Sequence, residues 1–189
     1  MTATTERVRL FVAVDLPQEV RARLAAWCDR AAPEDVRRVP AVNMHVTLAF
    51  LGSRRWDDAA VVADLLPRLA RGVGTLRTAG ALWLPPRRPG VLTVALDDDT
   101  TLAALQADVV AALVDAVGFE PEGRPFRPHV TVGRVRRGTR VGACSLDPPR
   151  LAFAPPTMTL YRSHTGGGGT RYEPLARCSV RAAGSPRTT

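Results

Sequence analysis

The chain repeats itself, and the repeat limits what it can fold into. "VAVD" at Val12 to Asp15 returns as "VALD" at Val94 to Asp97, and each copy precedes the same tripeptide, His-Val-Thr, at His45 to Thr47 and at His129 to Thr131. Self-similarity on this scale means one supersecondary unit used twice. Each half reads as strand, helix, strand. "RLFVAVDL" suits a strand, "PQEVRARLAAWCDRAA" a helix with Pro17 near its first turn, and "MHVTLAFLG" a strand ending at Gly52, after a loop through "PEDVRRVPAVN". The second half runs "GVLTVALDD", then "TTLAALQADVVAALVDAV" with Thr100 or Thr101 as N-cap and Gly118 as stop, then "RPFRPHVTVGRV".

Three further segments complete the reading. "WDDAAVVADLLPRLARGV" predicts an amphipathic helix interrupted or ended around Pro67, and "GTLRTAGALWLP" adds a strand to the first half. "LAFAPPTMTLYRS" and "TRYEPLARCSV" bracket the run "HTGGGG" as a closing hairpin. The expectation is an α+β fold: bilobal, internally duplicated, with two antiparallel sheets facing a central cleft and helices on the outside. It comprises one domain over 1–180, with lobes of roughly 7–90 and 91–180 between which strands can exchange, and a disordered tail over 181–189.

Composition narrows the function classes. At 189 residues and 46% hydrophobic the chain can bury a core of its own. It carries a net charge of +8, and all 26 basic residues are arginine, since lysine is absent. That balance fits a phosphate-bearing partner and equally a coding bias toward arginine. The absence of lysine closes the lysine-adenylate route of ATP-dependent ligases, and "GGGGTR" lacks the G-K-[ST] of a nucleotide-triphosphate loop. Cys28, Cys144 and Cys178 are odd in number and widely spaced, which argues against a disulfide framework or a zinc site. No apolar stretch reaches the roughly 18 residues of a membrane helix, and the N-terminus has no signal-peptide core, so a soluble, cytoplasmic protein is expected.

The repeated tripeptide carries the chemistry. Along a strand His45 and Thr47 share one face and Val46 and Leu48 the other; the same alternation holds for His129 and Thr131 against Val130 and Val132. A twofold between the halves brings both imidazoles and both hydroxyls into one cleft. One neutral and one protonated imidazole make a concerted acid and base, and threonine hydroxyls can donate to an anionic oxygen. The substrate this suggests is a phosphodiester. Neither histidine has a carboxylate at metal-ligand spacing, so no metal and no cofactor are expected.

"RLFVAVDLP", "NMHVTLAFLG", "FRPHVTVGR" and "LYRS…GGGGTRYEPL" resemble the RNA 2',3'-cyclic phosphodiesterases of the two-histidine phosphoesterase superfamily, the LigT-like proteins. The resemblance spans Arg9 to Leu175. It implies metal-independent hydrolysis of an RNA-terminal 2',3'-cyclic phosphate to a 2'-phosphomonoester, with 2'-5' ligation as the reverse reaction. By the same resemblance His45 is the proton donor, His129 the proton acceptor, and Thr47 and Thr131 bind phosphate. Sequence symmetry alone leaves the acid and base undecided.

Secondary candidates follow from position. Arg127, two residues before His129, would share the cleft face if the strand has begun there, and would then pair with phosphate. Asn43 stands in the same relation to His45 and suits loop capping. Phe11 and Tyr172 are candidates for base stacking, with a core role for Phe11 equally open. His164, beside the glycine run, reads as a loop residue. RNA or nucleotides with cyclic phosphate ends are the expected partners, with no membrane, no obligate protein partner and a monomeric state. The alternative is a catalytically weak RNA-binding module that uses the same basic cleft.

Overall fold

The computed structural model describes residues 6–97, 100–136, 138, 141, 147–166 and 169–180. Along the chain it forms β1 (Arg7–Asp15), α1 (Gln18–Ala31), β2 (Val36–Arg38), a 3-10 turn (Ala41–Asn43), β3 (His45–Arg55), α2 (Trp56–Leu69), β4 (Leu76–Leu84), β5 (Val91–Asp97), α3 (Thr101–Val117), β6 (His129–Val135), β7 (Ala152–Phe153), β8 (Thr157–Gly166) and β9 (Gly169–Ser179). Among the described residues the class is α+β, with three α-helices and antiparallel strand pairs.

The strands form one sheet in the order β7-β4-β5-β6-β3-β1-β8-β9, with β2 added beside β6, where two sheets were expected. β3 and β6 meet at a single register pair, Val46 with Val130, so their join is the middle of both His-Val-Thr tripeptides. Strand pairing crosses residue 90 in both directions. β4 joins β5 and β7 of the second half, correcting its assignment to the first, and the β8–β9 hairpin extends β1. Local propensity gives a strand its existence; its neighbour is chosen by packing.

The helices cover one core. α1 buries Val20, Leu24, Trp27, Cys28 and Ala31, α2 buries Ala59, Val62 and Leu66, and α3 buries Leu102, Leu105, Val109 and Leu113. Each set follows the helical period and merges with Leu10, Val12, Val14, Val46, Leu48, Val130 and Val132 in one cluster. β1 is buried on both faces, which explains its unbroken apolar run: its other face holds Phe11 and Ala13, packed with Tyr161.

Several local expectations are corrected. α2 continues through Pro67 to Leu69, because a proline in the last turn removes only one terminal bond. Thr100 stands at the N-cap of α3, but in the left-handed region (φ 78) and without a side-chain cap; Thr101 instead accepts a bond from the Gly74 amide at 2.7 Å. Gly118 ends α3 in the left-handed conformation the sequence implied. β2 forms inside the stretch read as a loop, and β3 runs past Gly52 to Arg55. His164 belongs to β8 rather than to a loop. The tail over 181–189 and Cys144 lie outside the described residues.

Candidate active site

Antiparallel pairing centred on Val46 and Val130 sets His45 opposite Thr131 and Thr47 opposite His129, and its local twofold carries each tripeptide onto the other. Both valines are buried in the core, so the four polar side chains stand on the opposite, open face. Each histidine is oriented in the same way. The Nδ1 of His45 lies 2.8 Å from the carbonyl of Asn43, and the Nδ1 of His129 lies 2.8 Å from the carbonyl of Arg127. A carbonyl only accepts, so both Nδ1 atoms carry hydrogen and Nε2 is the atom that gains and loses a proton.

The position two residues before each histidine therefore acts through its backbone. β6 begins at His129, so strand alternation does not carry the Arg127 side chain onto the cleft face; its side chain lines a larger chamber beside His129. The Asn43 side chain donates to the Thr170 carbonyl at 2.9 Å, tying the 3-10 turn to β9.

Both tripeptides are followed by the same irregularity. In β3, Val12 faces Ala49 and Ala13 faces Thr47, leaving Leu48 as an extra residue; in β6, Leu92 faces Gly133 and Thr93 faces Thr131, leaving Val132 extra. A bulge reverses the alternation beyond it. Consecutive residues are then buried, Leu48 with Ala49 and Val132 with Gly133, and the sixth residue of each hexad, Phe50 or Arg134, returns to the open face. Sequence reasoning missed both because simple alternation sends them to the core. The available signal was that "HVTLAF" and "HVTVGR" end, in equivalent positions, on an aromatic ring and a guanidinium. Gly133 is required here: a Cβ would stand 2.4 Å from the Val36 Cγ1.

Two chambers meet at this face. One, of about 370 Å³, is lined by Arg9, Phe11, Asn43, His45, Thr47, Thr131 and Tyr172 among others; the second, of about 790 Å³, reaches His129 along Leu84, Phe119, Phe126 and Arg127. Thr47, Phe50 and Arg134 line both. The cleft thus presents one histidine to each side of a shared centre.

Phe11 supports His45. It is 2% exposed, stacks on the imidazole at 4.8 Å and meets Tyr161 at 5.1 Å, so its ring is already covered and it is not open to a base. Tyr172 packs edge-on against both Phe11 and His45 and lines the smaller chamber. Burial lowers the pKa of His45 from 6.5 to about 4; the Asn43 carbonyl and Asp15 oppose this, and Arg134 and His129 reinforce it. His164 points elsewhere, with its Nε2 2.6 Å from the Glu173 carboxylate, an interaction that holds that carboxyl below its ordinary pKa.

The acid of the first "VAVD" has its own environment. Asp15 pairs in register with His45, yet in the second copy Ala95, not Asp97, pairs with His129. Asp15 is buried and accepts hydrogen bonds from Thr157 (2.5 Å), Thr159 (2.8 Å) and Tyr161 (2.6 Å). Burial and the bond to Asp15 push the Tyr161 pKa up to about 12. Asp15→Asn turns an amide N–H toward hydroxyls that now donate, and is expected to cost about 2 kcal/mol in urea unfolding. Unchanged stability would mean that the network relaxes without loss.

Comparison with known proteins shows the family. The profile of the 2'-5' RNA ligase superfamily matches residues 16–144. The chain is 32% identical to the RNA 2',3'-cyclic phosphodiesterase of Escherichia coli, covering 93% of this chain and 98% of that one, and 30% identical to its Thermus thermophilus namesake, covering 92% and 91%. Among solved structures, TT0787 of Thermus thermophilus superimposes with a TM-score of 0.78 at 29% identity, and E. coli LigT complexed with 3'-AMP with 0.73 at 31%, each covering 93% of this chain and 99% of the other. With the paired His-Val-Thr strands at its centre, the chain belongs to the 2'-5' RNA ligase superfamily.

Proposed function

We propose that this chain is an RNA 2',3'-cyclic phosphodiesterase that opens a terminal 2',3'-cyclic phosphate to a 2'-phosphomonoester without a metal or cofactor. The observation that carries the reading is the meeting of two His-Thr pairs across Val46 and Val130. It is supported by the activity named for the E. coli and T. thermophilus relatives.

Hydrolysis in line at phosphorus needs a nucleophile on one side and a leaving oxygen on the other. His129 accepts the proton of the attacking water at Nε2, and His45 donates from Nε2 to the departing 3'-oxygen. Thr47 and Thr131 donate hydroxyl hydrogen bonds to the non-bridging oxygens, and the Arg134 guanidinium, shared by both chambers, neutralises the charge that develops there. Arg127, on the rim beside His129, adds a further positive charge toward the phosphate. Tyr172 offers the ring on which the terminal base stacks. When an RNA 5'-hydroxyl takes the place of water, the same groups form its bond to phosphorus and break the bond to the 3'-oxygen, which leaves a 2'-5' linkage and amounts to ligation. The working unit is residues 1–180 acting as a two-lobed monomer in the cytoplasm, since one chain already supplies both histidines.

Among the described residues no three His, Cys, Asp or Glu side chains are grouped as a metal site, and no helix is long and apolar enough to cross a membrane. In excess EDTA, 2',3'-cyclic AMP and a cyclic-ended oligonucleotide are expected to be hydrolysed at undiminished rates, with phosphate retained on the 2'-oxygen as read by phosphorus NMR. Loss of turnover in EDTA would overturn metal independence, and a 3'-phosphate product would overturn the regiochemistry. Tight RNA binding without turnover would instead support an RNA-binding module.

A further inference from the structure

Arg37 and Arg134 stand directly opposite each other in the β2–β6 pairing. Val36, by contrast, is buried against the Gly133 side of the strand pair, so the two arginines share the open face. Like charges placed directly across two strands destabilise a sheet unless something between them is negative. Among the described residues no carboxylate forms an ion pair with either guanidinium and neither guanidinium makes a hydrogen bond. The neighbouring Arg38 is different. Its guanidinium is spent on the carbonyls of Pro33, Val36 and Ala32 at 2.8, 2.6 and 2.9 Å.

The arginine pair borders a recess of about 130 Å³, whose other walls are Arg38, Val39, Pro40, Asn43, Thr170 and Tyr172. The recess adjoins the smaller chamber, with which it shares Val39, Asn43, Arg134, Thr170 and Tyr172. It is too small for a nucleoside beside those walls and suited to a single anionic group. A cation pair one side chain beyond the reactive centre, reached past the tyrosine that stacks the terminal base, lies where an RNA strand would continue.

We propose that Arg37, with Arg134, forms a second phosphate site that binds the internal phosphodiester on the 5' side of the terminal nucleotide. This rests on the reading of the chain as a cyclic-phosphate hydrolase, and makes it selective for RNA ends over mononucleotides. Arg134 bridges the reactive and the internal phosphate, and Arg37 serves only the second.

The test uses three substrates: 2',3'-cyclic AMP, a diribonucleotide ending in a 2',3'-cyclic phosphate, and the same dinucleotide with an uncharged methylphosphonate internal linkage. Arg37→Ala is expected to lower kcat/KM on the charged dinucleotide about tenfold, chiefly through KM, and to leave 2',3'-cyclic AMP within about twofold, which also shows that the variant is folded. The methylphosphonate should cost the unaltered protein a similar factor, and Arg37→Ala should then add nothing. The slope of log kcat/KM against log salt on the charged dinucleotide should fall by about 0.7, the share of one single-strand phosphate contact. Equal losses on all three substrates, or indifference to the methylphosphonate, overturn the second site while leaving the hydrolase reading intact. Absence of turnover on every substrate by the unaltered protein overturns both.

Discussion

Replacing either His45 or His129 with alanine is expected to lower kcat/KM for 2',3'-cyclic AMP by on the order of 10² to 10⁴, the range a positioned general acid or base supplies. The two losses should not multiply in the double variant, because the histidines serve one proton relay. The lowered pKa of His45 adds a pH signature. The cleft with both imidazoles protonated gives up its first proton at His45, near pH 4, so the acid limb of kcat/KM is expected near 4 rather than near 6.5 whichever histidine is the donor.

That same lowering bears on which histidine gives the proton. In the empty cleft His45 rests neutral, as a base would, and its service as donor requires the bound anionic phosphate to restore its proton. A bell-shaped profile cannot separate the two assignments, since only the product of the two protonation states enters the rate. The leaving group can. With sulfur in place of the 3'-oxygen, a thiolate departs without protonation, so His45→Ala should lose less than about tenfold while His129→Ala keeps its full loss. The opposite pattern would exchange the roles and make His45 the base.

Arg134→Ala is expected to lower kcat by about 10² to 10³, the cost of removing one preorganised stabiliser of transition-state charge. Arg134→Lys should recover only part, because an ammonium cannot make the two parallel bonds that a guanidinium offers to phosphate oxygens. Gly133→Ala tests the same idea through the backbone. Its new methyl would meet the Val36 Cγ1 at 2.4 Å, and relief of that clash has to disturb the bulge that turns Arg134 to the open face. Wild-type kcat in Arg134→Ala would remove it from the reaction. A Gly133→Ala protein with intact kcat but lower stability would mean that the bulge survives the repacking.

Much of this site was legible from residue order. Alternation along "HVTLAF" and "HVTVGR" separates His and Thr from Val correctly, because the first four residues of each strand are regular and one face meets an apolar core. It fails at the fifth residue. The extra Leu48 and Val132 invert the faces, and no local preference announces a bulge whose cause is the register of neighbouring strands. Phe11 illustrates the same limit: an aromatic residue in a strand is open to either role, and only the ring contacts of His45, Tyr161 and Tyr172 make it a support. Arg127 depended on where β6 begins, and strand ends are decided by pairing that propensity does not encode.

The repeat by itself determined that two equivalent His-Thr strands exist, and it motivates the proposal of a paired acid and base. Side-chain type and a period of two residues are properties of the chain alone. Tertiary structure decided that these strands lie side by side, paired at Val46 and Val130, with β4 carried to the second half and β8–β9 to the first. It also decided that Arg134 faces the cleft and that Arg37 stands across from it. Those outcomes depend on which strands share hydrogen bonds and where one residue is left over, and both are settled by burying a common core rather than by any short stretch of sequence.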